Sequence, residues 1–213
     1  DSKTKEWKVQ DGGWGWGTGV IDIDNDGDLD IGLVNGFDFP GSTEDLLMTE
    51  SKLYENKLNE EEGTFEERGL ALGFSSANNK GRGFVVFDYD YDGDEDMFVM
   101  NNEANAELFE NRKGNKNDFL KIQVLKRNIE SRSSSNPVAY VKVYEDSNWR
   151  VFPTGPTSFF LGTGSPTTHV GLGDSTGEEV FAVKVVCPEF DNEVVVRNVP
   201  RTCAHGATRV HTS

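Results

Sequence analysis

Two nine-residue stretches crowd oxygen ligands together: DIDNDGDLD at residues 22–30 and DYDYDGDED at 88–96. The first carries Asp22, Asp24, Asp26, Asp28 and Asp30, and the second carries Asp88, Asp90, Asp92, Asp94 and Asp96. Without a counter-ion each close pair of carboxylates repels by roughly 1 kcal/mol even in water. The pattern therefore calls for a cation. Side-chain oxygens at positions 1, 3, 5 and 9, a backbone carbonyl at position 7 and a turn glycine at position 6 (Gly27, Gly93) suit a hard ion with many oxygen ligands. That description fits calcium better than magnesium, which keeps its waters and demands a tighter octahedron. Neither loop contains thiolate or imidazole, which argues against zinc and copper. Two Ca2+ sites are expected, and they are expected to be structural, because each ion is enclosed by its own turn.

An EF-hand begins with the same D-x-D-x-D-G order but ends on a bidentate glutamate at position 12. Here that position is Leu33 in the first loop and Val99 in the second. The flanks, GVI and IGLV in one copy and FVVF and MFVM in the other, are strand formers rather than amphipathic helices. The loops are expected to join strands.

The elements that must position these loops recur as well. GTGVIDIDNDGDLDIGLVN, starting at Gly17, aligns without a gap on GFVVFDYDYDGDEDMFVMN, starting at Gly83. A related tetrapeptide follows each copy, LYEN at 53–56 and LFEN at 108–111. Such self-similarity points to a repeat architecture of stacked supersecondary units. Between the copies, STEDLLMTESKLYE at 42–55 is expected to form a short helix capped by Ser42 or Thr43, and GTFEERGLALGF at 63–74 to supply further strands.

After Asn111 the polar, lysine-rich RKGNKND at 112–118 marks a connection, so two domains are expected: repeats over 1–112 and a second β domain over 113–213 that ends in a tail. Alternating runs at 119–125, 138–145, 149–152, 168–173, 180–186 and 193–199 predict its strands. The fold class is all-β.

The formal net charge of -16 makes nucleic acid and anionic membrane poor partners. No apolar run approaches the ~20 residues of a membrane-spanning helix. Cys187 and Cys203 flank EVVVRNV, and a disulfide between them would fit secretion or an oxidising organelle lumen; two buried thiols are the alternative.

The F-D-x-D-x-D-G-D-x-D pattern between strands, followed by LF-x-N, resembles the FG-GAP or VCBS-type repeats of β-propellers, including the calcium-binding blades of integrin α chains. The resemblance covers residues 14 to about 111 and implies one blade per repeat, with all ten loop aspartates carried over as calcium ligands. NDFLKIQVL and HVGLGDSTGEEVFAVKVVCPEFDNEV are similar to the ASPIC/UnbV domain that follows such repeats in cartilage-acidic-protein relatives. Two departures stand out: SNPVAYVKVY lacks the Gly-Ala-Arg expected before its strand, and Cys187 occupies a position where that domain commonly has tryptophan. Two blades do not close a ring of 4 to 8, so an incomplete propeller with a small β-sandwich-like domain is expected, either as the end of a longer protein or with its edges covered by the β domain or by another subunit.

Catalytic signatures such as G-x-S-x-G, H-E-x-x-H or a phosphate loop are missing, and His169, in THVGLG, suits a structural hydrogen bond. The expectation is a non-catalytic module that binds another protein. Trp14 and Trp16, in GGWGWGTG, suit packing between blades or anchoring a partner. Carbohydrate binding on aromatic platforms such as PTSFF at 156–160 is the alternative.

Overall fold

The structure is a computed structural model that describes residues 2–36, 50–57, 63–74, 80–128, 133–135, 139–145, 148–154, 158–173, 179–187, 192–200 and 207–212. Its described residues form an all-β protein with several sheets, none closed into a barrel. After a single helical turn, α1 (Ser2–Glu6), the chain builds an antiparallel meander of β1 (Gly15–Ile21), β2 (Asp30–Asn35), β3 (Lys52–Lys57) and β4 (Thr64–Glu67). A second turn, α2 (Gly69–Leu72), leads to a three-stranded meander of β5 (Gly81–Phe87), β6 (Asp96–Asn101) and β7 (Glu107–Phe109). The first acidic loop joins β1 to β2 and the second joins β5 to β6, as the repeat alignment requires.

The meanders approach closely because glycine lines the contact. The Phe84 side chain lies over Gly17, Gly19 and Gly32, where added Cβ atoms would sit 2.7, 2.9 and 2.6 Å from it. Ile21, Val34, Leu53, Phe74, Phe84, Val86, Met97 and Val99 make one core across both meanders. Phe159 belongs to that core too, although it lies in the carboxy-terminal half. It is carried in by a hairpin of β12 (Ser158–Phe159) and β13 (Gly162–Thr163). The buried Phe159 therefore leaves only Phe160 of the PTSFF stretch exposed as an aromatic platform.

The carboxy-terminal half begins after a 3-10 turn (Gly114–Lys116) and forms two sheets. One has the order β14-β8-β17, from β8 (Asp118–Asn128), β14 (Thr168–Gly173) and β17 (Ala207–Thr212), with β9 (Ser133–Ser135) paired on β8. The other has the order β11-β10-β15-β16, from β10 (Tyr140–Glu145), β11 (Asn148–Pro153), β15 (Glu179–Cys187) and β16 (Asn192–Pro200). Leu120, Ile122, Val124, Val170 and Leu172 from the first sheet meet Val141, Val143, Phe152, Val183 and Val185 from the second in one core. The alternation in LKIQVL and YVKVY thus reads correctly as one buried face.

Three expectations need correction. Lys52–Lys57, which includes the end of the anticipated helix, is strand β3 because it pairs on both sides, with β2 and with β4. Residues 42–49 of that helix, with the Ser42 and Thr43 caps, lie outside the described residues. The stretch at 63–74, expected to supply further strands, forms one strand and then the turn α2, ended by Gly73 at φ 79. Lastly, the tail is not loose throughout: β17, which contains His211, adds to β8 in parallel register. His205 and Cys203 lie outside the described residues.

Candidate metal centres

Both acidic loops fold by the same rule. Position 4 and position 6 adopt the left-handed conformation in each, Asn25 at φ 55 with Gly27 at φ 92, and Tyr91 at φ 64 with Gly93 at φ 104. Glycine is needed at position 6 for space as well as for φ: a Cβ on Gly27 would collide with the Arg150 guanidinium and one on Gly93 with the Phe119 ring. Position 1 then turns inward to accept the position 6 N–H, Gly27 N–H to Asp22 Oδ2 at 3.0 Å and Gly93 N–H to Asp88 Oδ2 at 3.1 Å. Position 9 bridges the loop to the next strand. Asp30 accepts from Ile23 N–H at 2.9 Å and Asn56 N–H at 2.7 Å; Asp96 accepts from Tyr89 N–H at 2.9 Å and Asn111 N–H at 2.8 Å.

These bonds explain the repeated tetrapeptide. Asn56 and Asn111 are its last residues, and their side-chain amides donate to the position 8 carbonyls of Leu29 (3.1 Å) and Glu95 (3.1 Å). LYEN and LFEN are loop clamps. The repetition was visible in the sequence, but the clamp was not, because it joins residues distant along the chain.

In each loop, positions 1, 3 and 9 converge. Asp22, Asp24 and Asp30 each offer a carboxylate oxygen within 4.8 Å of the others, and Asp88, Asp90 and Asp96 do the same. Asp26, Asp28, Asp92 and Asp94 stand outside these triads, where Asp26 and Asp92 accept the N–H groups of Asp28 (2.8 Å) and Asp94 (3.2 Å). The triads could hold a metal ion. Asp22, Asp30 and Asp96 are buried. Burial pushes Asp22 up to about 8, with Asp26, Glu95 and Asp24 adding repulsion, and burial pushes Asp30 up to about 8 against the two N–H groups it accepts. Asp88 Oδ1 is buried with no donor among the described residues. An oxygen-only triad with an orphaned carboxylate oxygen fits a hard cation.

Two lysines that the sequence reading did not single out stand beside the triads. Lys113 Nζ reaches Asp24 Oδ2 at 2.9 Å and Glu55 Oε1 at 2.6 Å. Burial opposes its charge, but the bonds to Asp24 and Glu55 outweigh that and raise it above the usual lysine range. Lys121, from β8, pairs with Asp88. No local signal distinguishes them from other lysines, because only the docking of the carboxy-terminal half brings them to the loops.

The same docking supplies Gly171 N–H to Asp22 Oδ2 at 3.1 Å, Gly173 N–H to the Asn25 carbonyl at 2.7 Å and Asn117 Nδ2 to the Asp24 carbonyl at 2.7 Å. Asn25 Nδ2 donates to the Gly93 and Gly114 carbonyls, so its Oδ1 is left to accept from His169 Nε2 at 2.6 Å. His169 thus carries its proton on Nε2. Burial first and the Lys121 charge second push it down to about 3, so it is neutral at physiological pH. The structural hydrogen bond expected of His169 is present. It lines a cavity of about 310 Å³ with Asp88, Glu95 and Lys121, in which burial pushes Glu95 up to about 7.

Of the two tryptophans, Trp16 is a packing residue. Its N–H donates to the Gly36 carbonyl, Arg82 lies 4.5 Å from its ring centroid while also donating to Gly36, and Phe160 packs 5.8 Å away. Trp14 is half exposed. Cys187 is buried at the end of β15. Among the described residues no helix is long and apolar enough to cross a membrane. Comparison with known proteins found no matching family model and no similar curated protein.

Proposed function

We propose that this chain is a non-catalytic, calcium-stabilised β module that mediates protein–protein interaction, as a secreted or luminal protein or as a subunit of a larger assembly. One observation carries the reading: position 1 of both triads, Asp22 and Asp88, is held by the carboxy-terminal sheet through Gly171 N–H and Lys121. An ion in each triad would lie at the seam between the halves of the molecule, where it offsets repulsion rather than meeting a substrate. Asp22, Asp24 and Asp30 would hold one ion and Asp88, Asp90 and Asp96 the other; calcium supplies charge neutralisation and oxygen coordination. The FG-GAP and ASPIC/UnbV resemblance supports the same reading, with each meander as a blade.

Calorimetric titration of metal-free protein tests it. Two calcium ions per chain are expected, with magnesium much weaker; no uptake, or preference for zinc, would overturn the calcium role. For the interaction role, native mass spectrometry of protein taken from its source is expected to show a stoichiometric complex. A lone 23.6 kDa chain would count against it.

A second reading, carbohydrate binding, is favoured by one surface. Tyr140, Trp149 and Val151 are exposed on neighbouring strands β10 and β11, with the Tyr144 ring 5.0 Å from Trp149. A glycan array probed with calcium present, and without hits, would remove it.

A further inference from the structure

The two meanders differ at one edge. In the first, β4 covers β3: the Arg68 N–H donates to the Leu53 carbonyl at 2.7 Å, and Leu53 is 0 % exposed. In the second, the sheet ends at β7, and among the described residues no strand pairs with its outer side. Leu108, which aligns with Leu53, is 45 % exposed. Beside it opens a cavity of about 500 Å³ whose walls include Leu72, Phe74, Met97, Phe109 and Asn111.

We propose that the outer edge of β7 takes up an extended segment of another protein as a fourth, antiparallel strand, one with an aromatic residue over this cavity and a net positive charge. The inference rests on the protein-interaction reading and names the kind of partner. The molecule contains its own template for the guest. In the first meander Phe65 of β4 stands opposite Asn56, and the aligned Asn111 lies on the cavity wall, so the guest's aromatic side chain belongs there. Strand addition draws on the unpaired N–H and C=O groups of an edge for affinity and on such pockets for specificity.

The charge of the edge selects between partners. Glu107 accepts from the neutral Asn101 amide at 2.9 Å and is the edge carboxylate placed to meet a basic guest residue, whereas Glu110 is already paired with Arg112 at 2.8 Å. A second copy added at the same edge would bring Glu107 and Glu110 of one chain close to those of the other, and like charges brought together across strands are destabilising. The net charge of -16 adds to that repulsion.

The test is an NMR titration of the full ¹⁵N-labelled chain with a synthetic peptide of the sequence GTFEERGLALGF, and with the same peptide carrying Glu66→Lys and Glu67→Lys. Each titration is run with calcium and after chelation. Shifts and slowed exchange at the Leu108 amide are expected, with the lysine peptide binding more tightly. Leu108→Lys in the protein is expected to weaken binding by about tenfold or more, as loss of an anchor residue does. Glu107→Lys, a milder surface change, is expected to weaken the lysine peptide selectively. Absence of change at β7, changes confined to another surface, or a dimer formed through this edge in sedimentation would overturn the proposal. Binding that persists in a protein without calcium uptake supports strand addition while the calcium reading falls, and calcium uptake without peptide binding at β7 overturns strand addition alone.

Discussion

Asn111 is buried and makes four hydrogen bonds: its backbone N–H donates to Asp96, its side-chain amide donates to the carbonyls of Ile23 (2.7 Å) and Glu95 (3.1 Å), and its Oδ1 accepts from Lys113 N–H (2.9 Å). Asn111→Ala removes two donors and leaves buried carbonyls unpaired, a loss of about 1–3 kcal/mol for each group left unsatisfied. Urea denaturation is expected to show that loss, and the calcium affinity of the second loop is expected to fall with it. Asp30→Asn and Asp96→Asn keep shape but remove charge from one triad each. Each single variant is expected to bind one calcium where the parent binds two, counted by native mass spectrometry. Two ions retained in either variant would mean that position 9 is a loop brace and not a ligand. The triad aspartates were legible because they lie within nine residues of one another in each loop. Their lysine neighbours were not, because Lys113 and Lys121 arrive from other elements.

At the scale of elements, Phe84 is the residue around which β1, β2 and β5 pack. Gly32→Ala would place a Cβ 2.6 Å from the Phe84 ring, and overpacking of this kind costs about 1–3 kcal/mol. Thermal denaturation is expected to show the drop, and a companion Phe84→Leu substitution in the same chain is expected to recover part of it. Strand periodicity in the sequence revealed the elements whose burial alternates, such as LKIQVL in β8. It failed where pairing overrides local preference. Residues 52–55 carry helix-compatible side chains, yet β2 and β4 both claim them as strand. The parallel addition of β17 to β8 has no local signature at all, since its partner lies far away along the chain.

For the whole molecule, the two triads and the carboxy-terminal sheet are one network. Gly171, His169, Asn117 and Lys121 all reach the acidic loops, and Phe159 fills the core of the meanders. Removing metal is therefore expected to loosen both halves together. Each ion present at about 100 times its dissociation constant stabilises the fold by about 2.7 kcal/mol. Scanning calorimetry with chelator is expected to show one transition at lower temperature; two separate transitions, with only one moved by calcium, would mean that the halves unfold independently. Cysteine chemistry belongs to this scale as well: intact-mass measurement with an alkylating reagent is expected to show no free thiol if Cys187 and Cys203 are bridged.

By itself the sequence determined the all-β class, the repeat, the two acidic loops and the oxygen-only side chains that crowd them. All of these follow from residues close together in the chain, through strand periodicity, turn chemistry and ligand spacing. Only the tertiary structure decided which three aspartates of each five converge, that asparagines clamp the loops, that Phe159 crosses into the core of the other half, and that among the described residues β7 keeps an uncovered edge while β3 does not. Those depend on contacts between distant segments, where packing and hydrogen-bond satisfaction, not local propensity, select the arrangement.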